Sequence, residues 1–175
     1  PRFRAVRVCR LSGTPGFIVL LSPGKVCYDG EGCRLCQKLV IGEESVIQLF
    51  GFTDERRGPS SIFVGAIPKP EKDLSKIRET IMTEIHDLAA HGPTAEEMEK
   101  IENQVINDSV RMRQSSMSRA QSIAEFALYD GDPKIVNTEL DDLLAVTAEQ
   151  IRHAVGVYLN TDNRALLDVV TAGKR

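Results

Sequence analysis

Two short apolar runs, Val46 to Phe52 and Ile62 to Ile67, flank the polar stretch Thr53-Asp54-Glu55-Arg56-Arg57-Gly58-Pro59. β-branched and aromatic side chains of this kind pack well on a pleated surface, and the turn residues between them predict an antiparallel hairpin. Beyond the hairpin the period of the apolar residues changes. Leu74, Ile77, Ile81, Ile85 and Leu88 fall on one helical stripe, Asp73 stands where an N-cap is needed, and Gly92-Pro93 stops the run. Thr94 with Glu97 then makes a capping box, each side chain satisfying a backbone donor of the other. Met98, Ile101, Val105 and Met112 carry the next helix. Polarity rises from Arg111 to Arg119, which predicts a break near Ser115-Ser116 before Ile123, Ala124, Ala127 and Leu128 resume the stripe. Asp130-Gly131-Asp132-Pro133 closes that segment. A second capping box, Thr147 with Gln150, opens a helix carrying Ile151, Ala154, Val155, Tyr158 and Leu159, with Asn160 at its end. Ala165 to Thr171 reads as a final strand. The expected fold is α+β, a largely antiparallel sheet covered on one face by helices.

Upstream of the hairpin, Leu35, Leu39 and Val40 recur at helical spacing, and Gly42 is expected to end that helix in the left-handed conformation. Residues 1 to 32 differ in character, being rich in Arg, Gly, Pro and Cys, and only Phe17 to Leu21 reads as a strand there. The chain is therefore divided into a divergent or poorly ordered N-terminal segment, 1–32, and a domain over 33–175. Arg2, Arg4, Arg7, Arg10 and Lys25 all precede the first acidic residue, Asp29, although the net charge is -3. Such an arm can touch phosphate or anionic lipid, but the expectation is a solvated leader. With 175 residues, 42% hydrophobic and 27% charged, the composition is that of one ordinary globular domain and excludes fibrous and disordered classes. The absence of Trp and an aromatic content of 5% argue against a base-stacking nucleic-acid platform. No apolar run approaches the ~20 residues that span a bilayer.

Few residues carry chemistry. The four cysteines are Cys9, Cys27, Cys33 and Cys36. Cys33-x-x-Cys36 resembles half of a tetrahedral zinc site, with Cys9 and Cys27 to complete it, yet a second close pair is missing, and two thiols on a helix are the default. A thioredoxin-like redox pair needs a preceding strand of a βαβ unit, which is not evident. Gly13-Thr14-Pro15-Gly16 lacks the Gly-Lys-Ser/Thr ending of a phosphate loop. His86 and His91 lie five residues apart, so on a helix their side chains diverge by roughly 140° and do not share one ion. His153 stands alone. Glu96, Glu97, Glu99 and Glu102 read as a solvated helix face, and Arg56 and Arg57 as exposed turn charges. No catalytic, cofactor-binding or metal-holding residue is expected in this chain.

The order of its segments resembles a known kind of domain. The pieces are Gln37-Lys38-Leu39-Val40 within CRLCQKLVIG, Asp54 to Ser60, Gly92-Pro93-Thr94 before an acidic helix, Gly131-Asp132-Pro133, Ala145 to Glu149, and Tyr158-Leu159 before the last strand. Together they are similar to the C-terminal, non-catalytic domain of the insulinase (pitrilysin-like) zinc metallopeptidases, family M16, over roughly residues 33 to 174. That resemblance implies an α+β domain forming one wall of a peptide-enclosing chamber. The implied partner is a homologous zinc-bearing domain or subunit, and the implied ligand is an extended peptide, with no nucleic acid and no membrane span. A homodimer is a further arrangement it allows. Zinc is implied in the partner, because the family's His-x-x-Glu-His is nowhere in this sequence. Many such domains also lend the active site an Arg and a Tyr seven residues apart; those places fall here on Val40 and Ile47, which cannot donate to an oxyanion. Cys33 and Cys36 stand where Ser and Tyr are commoner. The alternative the resemblance leaves open is a scaffolding subunit of the core-protein type, without a proteolytic role.

Overall fold

The computed structural model describes residues 2–8, 26–28, 32–54, 60–159 and 164–169. The two apolar runs pair as their composition requires: β2 (Val46–Asp54) and β3 (Ser60–Pro68) are antiparallel, with Leu49 opposite Ala66 and Phe52 opposite Phe63. A bulge between Val46 and Gln48 shifts the register. The sheet is completed by β1 (Arg2–Val8) and β4 (Arg164–Leu167), in the order β2-β3-β1-β4, every neighbouring pair antiparallel. β1 is a strand the sequence reading did not place. Its residues are the basic arm expected to be solvated, yet they pair with β3 from Arg2↔Ala66 to Val8↔Ser60 and with β4 from Phe3↔Leu167 to Val6↔Arg164. β4 ends sooner than the expected strand; Phe17 to Leu21, Asn160 and the Arg56-Arg57 turn lie outside the described residues.

Along β3, Ile62, Val64 and Ala66 are buried while Phe63 and Ile67, which alternate with them, are half-buried, so one face of the sheet meets the helices. That face is covered by α1 (Leu74–His91), α2 (Ala95–Gln114) and α5 (Ala148–Tyr158). The predicted stripes supply the core: Ile77, Ile81, Ile85 and Leu88 from α1, Ile101 and Val105 from α2, and Ile151, Ala154 and Val155 from α5. Each helix begins on its predicted cap. The Asp73 carboxylate accepts from Ser75 N–H, and Thr94/Glu97 and Thr147/Gln150 both form complete capping boxes. α1 ends at Gly92, whose φ of 76° explains why glycine stands there.

Two predictions need correction. Gly42 ends its helix but is not left-handed. The segment Cys36–Gly42 is a wide π-helix in which Glu43 N–H bonds Lys38 carbonyl five residues back, and the left-handed residue is Glu44, φ 46°. The stripe Ile123, Ala124, Ala127, Leu128 forms on α3 (Ser116–Tyr129) after the predicted break at Ser115, yet none of it is buried. α3 swings away from the sheet and packs on α2 and the 3₁₀ turn Pro133–Asn137, which leads into the short α4 (Glu139–Leu144).

Candidate functional site

The densest polar constellation surrounds Arg34, at the start of the helix that precedes β2. Its guanidinium grips Glu97 with both arms, Nε to Oε1 at 2.6 Å and Nη2 to Oε2 at 2.9 Å. Nη1 donates to Asp87 Oδ2 at 2.7 Å, and Nη2 also donates to the Gly92 carbonyl at 3.1 Å. One planar fork thus ties the π-helix to the last turn of α1, the Gly92 corner and the first turn of α2. Burial alone would raise the Glu97 carboxyl, but hydrogen bonds from Arg34 and from the Thr94 N–H outweigh it and hold Glu97 below its ordinary range. Glu97 does not belong to the solvated acidic face expected of it: its side chain is only 19% exposed, and the available signal was its place as the far member of the capping box that follows Gly92-Pro93. A second pair, Lys38 with the buried Glu84, crosses from the π-helix to the middle of α1. Neither pair was legible as a contact in the sequence. Both fasten elements together.

The candidate metal ligands are placed as follows. Cys9 lies outside the described residues; Cys27 and Cys33 are buried and Cys36 is half-exposed, and these three form no disulfide. Burial pushes the Cys27 thiol up to about 12, too high to serve as a thiolate. Cys36 N–H donates to Cys33 Sγ at 3.2 Å. His86 is exposed on α1, while His91 Nδ1 sits 2.9 Å from Asp87 Oδ1, so the two serve different neighbourhoods. His153 is exposed on α5. Among the described residues no three His, Cys, Asp or Glu side chains converge as a metal site.

The face of the sheet turned away from the helices carries aromatic rings. Phe52 stacks on Phe63 with centroids 4.6 Å apart, and the Phe50 ring lies so close over Gly65 that a Cβ there would stand 2.4 Å from it. On the helix-facing side Gly51 makes room in the same way for Tyr28. Val40 packs against the core, whereas Ile47, the residue at the β2 bulge, is 61% exposed. The two positions expected to correspond to an Arg and a Tyr are thus apolar and differently placed. A cavity of ≈ 50 Å³ between β3, β4 and α1 is bordered by Arg78 and Asp168, which pair at 2.8 Å. Apart from that ion pair its described lining is apolar, Val64, Leu74, Ile77, Ile81 and Leu166 among it.

No family model and no curated protein matches the sequence. Solved structures do match. The inactive peptidase domain of a zinc protease candidate from Bordetella parapertussis superposes with a TM-score of 0.85 at 20% identity, over 99% of this chain and 92% of that one. This chain has the fold of an inactive M16 peptidase domain. A peptidase M16 inactive domain from Pseudomonas fluorescens gives a TM-score of 0.78 at 12% identity, and a protease from Helicobacter pylori gives 0.83 at 16%. The present chain spans 40% and 39% of the length of those two, so in each it matches one part of a larger molecule. Among the described residues of the present chain, no helix is long and apolar enough to cross a membrane.

Proposed function

We propose that this chain is the non-catalytic domain of an M16-type zinc metalloendopeptidase and forms one wall of the peptide-enclosing chamber. A homologous domain bearing His-x-x-Glu-His, on the same polypeptide or a separate subunit, holds the zinc and its general base. The observation that carries the reading is the agreement with an inactive peptidase domain over 99% of the chain. A sequence without His-x-x-Glu-His supports it. The aromatic face formed by Phe50, Phe52 and Phe63 is the side this reading turns toward the peptide, since the opposite face is taken by helices.

Purified alone, the chain is expected to carry less than stoichiometric zinc and to leave unfolded peptides uncut. Mixed with a homologous subunit containing the zinc motif, it is expected to associate and raise peptide hydrolysis. Chelator-sensitive hydrolysis by this chain alone would sink the proposal. The apolar Val40 and exposed Ile47 favour a second reading, a scaffolding subunit of the core-protein type. Association that leaves hydrolysis unchanged selects that reading.

A further inference from the structure

Cys33 and Cys36 are usually a weak signal, but here their backbone geometry is specific. Gln37 N–H donates to the Cys33 carbonyl at 3.0 Å, the first intrahelical bond, and Cys36 N–H donates to Cys33 Sγ at 3.2 Å. Cys33 is therefore the N-cap of its helix, with sulfur in the position a Ser or Thr oxygen takes in a capping motif, and Cys36 is the third residue of the first turn. Helical residues three apart have Cα atoms about 5 Å apart. That falls inside the roughly 4.4–6.8 Å range of disulfides. The cap already aims Cys33 Sγ over the first turn, toward the residue it would bond. Cys33 is only 3% exposed, whereas Cys36 is half-exposed and reachable from solvent. Cys27 is buried nearby and is kept protonated by that burial.

The geometry points to Cys33 and Cys36 as an oxidative modification site, closing to an intrahelical disulfide when the chain meets a hydroperoxide. In the first step the Cys36 thiolate attacks the peroxide; an S–O bond forms, the O–O bond breaks, and hydroxide leaves to be protonated to water. In the second, the Cys33 sulfur attacks that sulfur while its proton passes to the departing hydroxide; an S–S bond forms, the S–O and S–H bonds break, and a second water leaves. The two thiols lose two electrons and two protons, and the peroxide is reduced to two waters in all. Cys36 is the residue first oxidised because it is the accessible one, and Cys33 resolves it. Closure needs no unwinding of the helix, so the Arg34 fork between the two cysteines stays on Glu97 and Asp87.

The test treats the reduced full chain with hydrogen peroxide, denatures it in an alkylating agent without reductant, and digests it with trypsin. Cleavage after Lys25, Arg34 and Lys38 puts Cys27 and Cys33 on one peptide and Cys36 on the next. The expected product is those two peptides joined, with circular dichroism unchanged by oxidation. The joined product should persist in Cys27→Ala and fall to background in Cys33→Ser, where the serine hydroxyl keeps the cap and a dimedone adduct appears on Cys36. If Cys33→Ser does not fold, Cys36→Ser serves instead and must also abolish the joined peptides. A bond within the first peptide alone would mean a Cys27–Cys33 disulfide and would overturn the assignment. So would a dimer linked through Cys36, or Cys36 carried to sulfinic acid with no bond formed.

Discussion

Arg34 has a helix start behind it and three backbone segments in front of it, which is why its loss is costly beyond one ion pair. Removing the guanidinium takes a donor from the part-buried Glu97 and the Gly92 carbonyl and from the half-exposed Asp87, leaving Glu97 the Thr94 N–H and Asp87 its His91 contact. Arg34→Ala is expected to lower unfolding free energy by about 2–3 kcal/mol, and Arg34→Lys, which keeps charge but not the fork, by about 1 kcal/mol less. Urea titration of the three proteins checks the ranking; equal stability of Arg34→Lys and the parent would remove the bidentate argument. The same contact sets an acid limit. A carboxylate held below its ordinary value of 4.5 stabilises the fold above that value and loses the contribution as pH falls through the lower, folded value. Stability from this source should be flat around neutrality and decline below pH 4.5, and Glu97→Gln should flatten that acid limb. Little of this corner could be read beforehand. The capping box announced Glu97 as a local partner of Thr94, but a partner 63 positions away has no local signature.

The helices and the hairpin, by contrast, were legible because each depends on neighbours within one or two turns. Asp73, Thr94 and Thr147 announce their helices through bonds to residues two or three positions on. The α1 stripe fixes the buried face by period alone. The two capping boxes look alike in sequence yet differ in setting, since Thr94 shares Glu97 with Arg34 and Thr147 shares Gln150 with no distant side chain in the bonds described. Thr147→Ala should cost about 1 kcal/mol. Thr94→Ala should cost that and more, and its effect should shrink in an Arg34→Ala background, a non-additivity measured by a double-mutant cycle. The π-helix was missed because Gly42 is a common stop signal, and a five-residue bond pattern leaves no mark in composition. α3 shows the opposite failure: its stripe is real, but periodicity states only that a helix has an apolar side, not that the chain has anything to put against it. Ile123 is 44% exposed and Leu128 68%.

Across the whole domain these differences become a gradient of stability. α1 and α5 bury their stripes in a common core, while α3 buries no residue at all. Amides of α3 should therefore exchange with solvent by local opening, well before those of α1 and α5, which should open only with the domain. Mass-spectrometric hydrogen exchange on the isolated chain reads this directly, and equal protection of α3 and α5 would contradict it. The sheet order was the least legible property of all. Arg2 to Val8 alternates Arg with apolar residues through its first half, a strand-like pattern hidden by the frequency of Arg, and a central strand drawn from the opposite end of the sequence cannot be inferred from local signals. Because β1 lies between β3 and β4, its edge toward β4 stays bare until the chain has been made as far as Leu167. A nascent domain must carry that half-built sheet while all the intervening helices are made, and chaperone occupancy should be greatest in that interval.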